Sequence, residues 1–303
     1  MNINTLSLRS PSIKATLRAW SFFRLPEIIA LQGSPLLGFA LAVHQPTMAA
    51  LRPLLLLVVA NLFLVAHIFL INDWAEMNTD LADPNRANNF LGTGGMSRNE
   101  FAGLTTVLLV LSLFLFSLLG SIPLCLALAI TTASALYSLP QFHWKGKPVL
   151  SSLLHVVGGA LHFLLGYSVV GAIETRALSI AVFFALTFAA GHLIQELRDY
   201  QSDVQSEIKT NAAIFGPRRT FVASLILFTM AQGFLCYLAL RGTLPRPLAI
   251  LIVLYPLQLY WSLTTLADGL TYQSIRRLQS RYRGIYALIG LVMLIILWSN
   301  HPA

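Results

Sequence analysis

The sequence has little charge and very little cysteine. Charged side chains make up 11% of its 303 residues and hydrophobic ones 56%, whereas a soluble domain carries about 25% charged residues. A chain this apolar cannot cover the surface of a water-soluble globule, and it does not have the composition of a disordered segment. Its two cysteines are too few for a disulfide framework and show no metal-ligand spacing. The composition therefore indicates an integral membrane protein.

Long uncharged runs predict membrane-spanning helices, each of which needs about 20 apolar residues. Their apolar residues are continuous and do not alternate with polar ones, which excludes a transmembrane barrel. Gly120 and Pro123 divide the longest run and predict a turn between two helices. We therefore expect an all-α, polytopic membrane protein that forms a single domain over 1–303. The nine predicted spans are 28–44, 53–72, 102–119, 122–139, 151–172, 177–196, 220–240, 246–266 and 284–300.

Lysine and arginine are distributed unevenly between the predicted connections. Sixteen of the 20 lie on one side, and only Arg52, Arg176, Arg241 and Arg246 lie on the other. The positive-inside rule places the N-terminus, with its basic segment 1–24, and the two long connections in the cytoplasm, and it places the C-terminus outside. In a bacterium the membrane would be the inner one. The net charge of +8 is then a record of topology, and we expect no nucleic-acid partner.

Eight of the 12 acidic residues lie in two short windows, each at the cytoplasmic end of a predicted span. If the helices continue past the membrane, each window forms a stripe on one helical face, where like charges repel. Two matching stripes favour a divalent cation over solvated helix ends. Oxygen ligands suit Mg²⁺, which joins carboxylates to phosphates, so a phosphorylated substrate is predicted. The stripes contain Asn72, Asp73, Glu76 and Asp80 in the first window and His192, Glu196, Asp199 and Asp203 in the second.

These motifs resemble those of the UbiA-type intramembrane prenyltransferases over roughly residues 20–300. The first window is similar to the family's Asn-Asp-x-x-Asp-x-x-x-Asp motif, although Glu76 replaces an aspartate and Glu196 in the second window replaces an Asn or Asp. The other matching stretches are Arg198-Asp199-Tyr200-x-x-Asp203 with the tail that begins at Lys209, Tyr137-Ser138-Leu139-Pro140 followed by Lys145, and Arg24-x-Pro26.

The resemblance implies a helical bundle around a central cavity that opens laterally to lipid. It further implies transfer of a prenyl group from a polyprenyl diphosphate to a lipophilic or aromatic, quinone-precursor-like acceptor in the membrane, with two Mg²⁺ ions as cofactor. By this resemblance the metal ligands are Asn72, Asp73, Glu76, Asp80, Asp199 and Asp203. The catalytic residues are Asp73, Asp80, Asp199 and Asp203, and the substrate-binding residues are Arg24, Arg86, Tyr137, Lys145 and Lys209.

Two alternative functions remain open at this point. The same site could cyclise a prenyl diphosphate without an acceptor, or the paired acids could belong to a cation-coupled transporter.

The histidines are also open to two interpretations. His155 and His162 share a face of the fifth span, where they could line the cavity or act on an acceptor. His67 and Asn61 could bind the acceptor, but the expected role for them is interhelical hydrogen bonding.

Overall fold

The computed structural model describes residues 25–43, 47–77 and 97–299, and every element within these ranges is helical. Trp144–Gly146 and Arg246–Leu254 are 3₁₀ segments. The α-helices are α1 (Leu25–Ala30), α2 (Gly33–Ala42), α3 (Met48–Ala75), α4 (Arg98–Leu119), α5 (Ser121–Ser138), α6 (Leu150–Tyr167), α7 (Thr175–Gln205), α8 (Asn211–Phe215), α9 (Pro217–Leu240), α10 (Tyr255–Ala267) and α11 (Tyr272–Ser299).

Eight helices in the described ranges are long and apolar enough to cross a membrane, when the segment 246–254 and α10 are counted together. The all-helical fold is confirmed, and the count is one below the nine predicted spans. The predicted first span is the shorter apolar stretch Glu27–Ala42, which is interrupted by a turn between α1 and α2. The predicted turn between α4 and α5 is confirmed at Gly120, whose φ of 127° lies in the region that favours glycine.

The helix ends differ from the predicted bounds in ways that backbone chemistry explains. The helices α3 and α7 continue beyond their apolar runs, because polar residues still form helical hydrogen bonds outside the hydrocarbon. The predicted span 246–266 begins instead as a 3₁₀ segment and becomes α-helical at Tyr255. Pro256 lies at this junction, where it lacks the N–H that would donate to the preceding turn.

Small residues bring α2 and α6 into close contact. A Cβ added to Gly38 would collide with the backbone oxygen of Phe163, and one added to Gly166 would collide with that of Pro35. Without a hydrophobic driving force between helices in lipid, such close backbone packing is a main source of association. The pair α2–α6 therefore forms a tight seam on one side of the bundle.

The distribution of apolar side chains agrees with a lipid environment. Phe163, Leu235 and Ile289 are buried in the largest core cluster, whereas Phe114, Ile295 and Trp298 are 59%, 57% and 65% exposed on outer faces. Exposed apolar surface on many helices is unfavourable in water and is expected where the solvent is hydrocarbon.

Buried polar side chains join helices across the bundle, as predicted for His67 and Asn61. His67 Nδ1 lies 2.9 Å from the carbonyl oxygen of Thr105 on α4. Asn61 donates to Gln32 Oε1 at 2.9 Å, and its own Oδ1 lies 2.8 Å from His162 Nε2. These bonds connect α3 to α4, to the α1–α2 turn and to α6.

Candidate active site

A cavity of about 430 Å³ lies among α3, α5, α6, α7 and α11, a volume typical of small-molecule sites. Apolar and aromatic side chains such as Phe69, Ile130, Phe188 and Phe228 form much of its wall. Both acidic windows contribute to the lining, as does the connection between α5 and α6. Among the charged and amide side chains of the lining are Asn72, Glu76, Lys145, Glu196, Arg198, Asp199 and Asp203.

Lys145 lies between the two acidic windows. Its Nζ is 2.7 Å from Glu76 Oε1, at the end of α3, and 3.4 Å from Asp203 Oδ1 on α7. Burial lowers the pKa of Lys145, but the adjacent charges of Glu76 and Asp203 raise it by more, so the net pKa lies above its ordinary value of 10.5. The ammonium is therefore charged at neutral pH and partly offsets the acidic stripes.

The other two cavity-lining candidate ligands of these windows contact protein groups as well. Arg198 grips Asp199 through two hydrogen bonds, Nε to Oδ1 at 2.8 Å and Nη2 to Oδ2 at 2.9 Å. Ser138 donates to Asn72 Oδ1 at 3.3 Å. Arg198 was not among the predicted substrate-binding residues, although its guanidinium is positioned beside the acids in the cavity wall.

The donor chemistry of the site fits a hard cation. Asp203 Oδ2 is buried and has no hydrogen-bond partner among the described residues, so this oxygen is available to an incoming cation. In the ranges that the structure describes, no three His, Cys, Asp or Glu side chains converge as a metal-binding group. Mg²⁺ needs fewer protein ligands than that, because it keeps waters and is typically held by one or two carboxylates together with substrate phosphates.

The remaining predicted site residues are distributed as follows. Tyr137 lines the cavity. Asp73 is buried but is not among the lining residues, and Lys209 is exposed in the connection after α7, also away from the lining. Arg24, Asp80 and Arg86 lie outside the described residues. The second stripe is a continuous part of α7, whereas α3 ends at Ala75, so the continuation of the first stripe to Asp80 stays a prediction.

Glu196 belongs to the second stripe in sequence but has a different environment from Asp199 and Asp203. Its Oε1 accepts from Asn211 Nδ2 at 2.9 Å, and its Oε2 accepts from the backbone N–H of Ala212 at 3.2 Å. Asn211 also accepts from the backbone N–H of Val149 at 2.7 Å. Glu196 is thus saturated by protein donors and fastens the segment after α7 to the start of α6, a structural role that spacing alone did not reveal.

A cluster of rings forms the wall next to this network. The imidazoles of His155 and His192 stack with centroids 3.6 Å apart and planes inclined by 7°. Tyr137 meets His155 edge-on at 5.1 Å, and Phe188 stacks on the same ring at 5.7 Å. All four side chains line the cavity. The prediction that His155 could line the cavity is therefore confirmed.

The first and last of the described helices also meet at the cavity. Arg283 on α11 donates to Glu27 on α1 at 3.2 Å, and both side chains belong to the lining. Their side chains are 45% and 29% exposed, so this ion pair lies in the outer part of the cavity wall. The two residues are 256 positions apart in sequence, and no local pattern indicates that they pair.

The fold and the site together define an integral membrane enzyme in which acidic and basic side chains from distant helices meet at an apolar cavity. The sequence profile of the UbiA prenyltransferase family matches residues 34–278. The chain belongs to this family and is accordingly an enzyme of prenyl transfer.

Similar proteins agree with this assignment. A UbiA homologue from Archaeoglobus fulgidus bound to GPP and Mg²⁺ has a TM-score of 0.72 at 18% identity, covering 94% of this chain and 99% of the homologue. A structure described for digeranylgeranylglyceryl phosphate synthase has a TM-score of 0.68 at 16% identity, with coverage of 94% and 99%. A lycopene elongase/hydratase from Corynebacterium glutamicum is 24% identical over 204 residues, which are 64% of this chain and 68% of that protein.

Proposed function

We propose that this protein transfers a prenyl group from a prenyl diphosphate to a lipophilic or aromatic acceptor within the membrane, with Mg²⁺ as cofactor. The observation that carries the proposal is one cavity lined by both acidic windows, by Lys145 and Arg198, and over much of its remaining wall by apolar and aromatic side chains. A donor with a charged head and a hydrocarbon tail matches this division of the lining. The relatives bound to GPP and DMAPP with Mg²⁺ support the same class of donor.

Asn72, Glu76, Asp199 and Asp203 would hold the metal, together with Asp80 and with Asp73 supporting them, and we propose two ions. When bound, Mg²⁺ supplies positive charge that stabilises the departing diphosphate. Lys145 and Arg198 hold further positive charge at the same end of the cavity, where the leaving group gains negative charge. Arg24, Arg86 and Lys209 are proposed to bind the diphosphate from the adjoining segments.

The apolar walls have a separate task, because loss of diphosphate leaves an allylic carbocation that water would quench. Phe69, Phe188 and Phe228 keep water away from it, and the ring of Tyr137 offers its π electrons. The acceptor then attacks the cation. The lycopene elongase/hydratase relative favours testing a hydrocarbon acceptor beside aromatic ones. We also propose that the charged end of the cavity faces the cytoplasm, since the basic residues are concentrated on that side.

The test is diphosphate release and product formation by the purified protein in lipid nanodiscs, with GPP or DMAPP as donor. Lycopene and a panel of phenolic acids serve as acceptors, and an acceptor-free reaction reports cyclisation. We expect acceptor-dependent product, loss of turnover with EDTA, and a reduction of kcat/KM by about 10²–10³-fold in Asp203→Asn, comparable to removal of a preorganised charge-stabilising group.

Asp268→Asn is the matched control, because Asp268 lies at the end of α10 and is not part of the cavity lining. It should retain wild-type turnover. Turnover that survives EDTA, or an Asp203→Asn variant as active as Asp268→Asn, would overturn the proposal. A cyclic product formed without acceptor would replace transfer by cyclisation.

A further inference from the structure

The proposed reaction uses the charged end of the cavity but leaves the imidazole wall without a role. His155 and His192 come from different helices, α6 and α7, yet their rings stack 3.6 Å apart and both line the cavity. Packing alone does not explain two stacked imidazoles in this wall, because each ring carries polar nitrogens whose desolvation is unfavourable.

The hydrogen bond of His155 fixes which nitrogen can accept a proton. Its Nδ1 lies 2.8 Å from the backbone carbonyl oxygen of Ser151, one helical turn earlier. A carbonyl only accepts, so Nδ1 carries the proton and Nε2 of the neutral ring keeps its lone pair. Within the described part of the chain, Nε2 has no hydrogen-bond partner. His155 thus presents a neutral base whose tautomer is fixed by its own helix.

His192 and Glu196 stand behind this base. His192 Nε2 lies 3.0 Å from Glu196 Oε1, although it is not aligned as a regular hydrogen bond. Glu196 is in turn fixed by Asn211 and by the backbone of Ala212. A proton taken up by His155 would therefore be stabilised by the negative charge of Glu196, on the far side of the His192 ring.

Prenyl transfer needs such a base at its last step. The C–O bond of the donor breaks, and the diphosphate leaves with the electron pair. The acceptor's π electrons then form the new C–C bond and leave a carbocation on the acceptor. The C–H bond next to that cation must give its electron pair to a new double bond or to the restored aromatic ring, and its proton must go to a base. A carbocation is so acidic that a weak, neutral imidazole suffices.

We propose that His155 is this proton acceptor at Nε2, that the stacked ring of His192 positions it, and that the carboxylate of Glu196 stabilises the resulting imidazolium. The inference rests on the proposed function, because it concerns the last step of that reaction. Tyr137 meets the ring of His155 edge-on at 5.1 Å, so the base lies beside the residue that we place near the allylic cation. A base in the wall, apart from the diphosphate, determines which C–H bond is broken.

The test measures two quantities separately, diphosphate release and the coupled product formed per diphosphate released. The enzyme is used in nanodiscs with GPP, Mg²⁺ and whichever of lycopene or the phenolic acids the wild type accepts. His155→Phe keeps a stacking ring and removes the base, and His155→Ala leaves room for added imidazole. His143→Asn is the matched control, since His143 is exposed, lies outside the cavity lining and has a φ of 43° that asparagine tolerates.

In His155→Phe we expect diphosphate release within about threefold of the wild type, because ionisation does not use the base. The coupled product per diphosphate should fall by about tenfold or more, since general bases contribute about 10²–10⁴-fold and water replaces the base only in part. The remaining donor should appear as prenyl alcohol or as isomeric alkenes. Imidazole should restore the coupled product in His155→Ala, and His143→Asn should match the wild type.

An unchanged ratio and product pattern in both His155 variants would overturn the inference. A parallel loss of diphosphate release and product, with their ratio unchanged, would assign His155 a structural role and would also overturn it. These results are distinct from failure of the proposed function, in which the wild type itself releases no diphosphate with Mg²⁺.

Discussion

Replacement of Lys145 by methionine tests whether the buried ammonium holds the two acidic windows together. Lys145 Nζ lies 2.7 Å from Glu76 and 3.4 Å from Asp203, and all three side chains are at most 9% exposed. At an effective dielectric constant of about 20, these distances correspond to about 6 and about 5 kcal/mol of Coulomb attraction. Desolvation of the three charges offsets much of this. Removal of one partner from a buried ion pair typically costs about 3–5 kcal/mol, which is the loss of unfolding free energy that we expect.

Reversible unfolding in detergent micelles, followed by far-ultraviolet circular dichroism at neutral pH, measures this loss. Because the pKa of Lys145 is raised in the folded state, its stabilisation is fully present below the ordinary value of 10.5 and is lost only at higher pH. Lys147→Met is the matched control, since Lys147 is exposed and away from the cavity. It should change the unfolding free energy by less than about 0.5 kcal/mol.

A second substitution identifies the partner of the lost charge. In Lys145→Met/Glu76→Gln, one uncompensated carboxylate is neutralised, so part of the lost stability should return. Added Mg²⁺ should also stabilise Lys145→Met more than the wild type, because the divalent cation replaces the missing positive charge. Equal stability of Lys145→Met and Lys147→Met would refute the reasoning. It would also be refuted if the effects of Lys145→Met and Glu76→Gln on the unfolding free energy were strictly additive.

Two further substitutions test the scaffold. Gly166→Ala places a methyl group against the backbone of Pro35 and should destabilise the fold by about 1–3 kcal/mol or more in the same unfolding assay. Gly233→Ala is the control, because its added methyl group meets open space and should be neutral or slightly stabilising. Equal stability of the two variants would contradict the close packing. Asn211→Ala removes donors from Glu196 and should cost about 1–3 kcal/mol and speed proteolysis in the connection after α7, and an unchanged cleavage rate would argue against that anchoring role.

The helical fold and the turn at Gly120 could be predicted from the sequence, because long apolar runs and turn residues are local properties. The two acidic windows could be expected to meet because each lies at the cytoplasmic end of a predicted span. The apposition of α2 and α6 could not be predicted, since Gly38 and Gly166 are 128 positions apart and nothing local links them. The role of Glu196 was also hidden. It has the spacing of a member of the stripe, but its partners lie in the segment after α7 and become visible only when that segment folds back.

Lys145 shows a related limit of motif reasoning. Its position in a matched stretch predicted a diphosphate ligand, and the structure adds that the same ammonium contacts Glu76 and Asp203. A one-dimensional motif records which residues recur together but not which of them touch. The stacking of His155 on His192 could not be predicted for the same reason, because it depends on how α6 and α7 are rotated about their axes.

The ion pair between Glu27 and Arg283 has a consequence for the path of the substrate. Exposed pairs of this kind contribute about 0–1 kcal/mol and are weakened by salt, whereas the α2–α6 seam is closed by backbone contact. The boundary between α1 and α11 is therefore held more weakly than the α2–α6 seam. In the proposed reaction, a donor whose tail is already dissolved in the bilayer would pass sideways through this boundary without drawing its hydrocarbon through water. The bilayer would then act as the reservoir of the tail, and salt at its surface would weaken the ion pair that borders this entry.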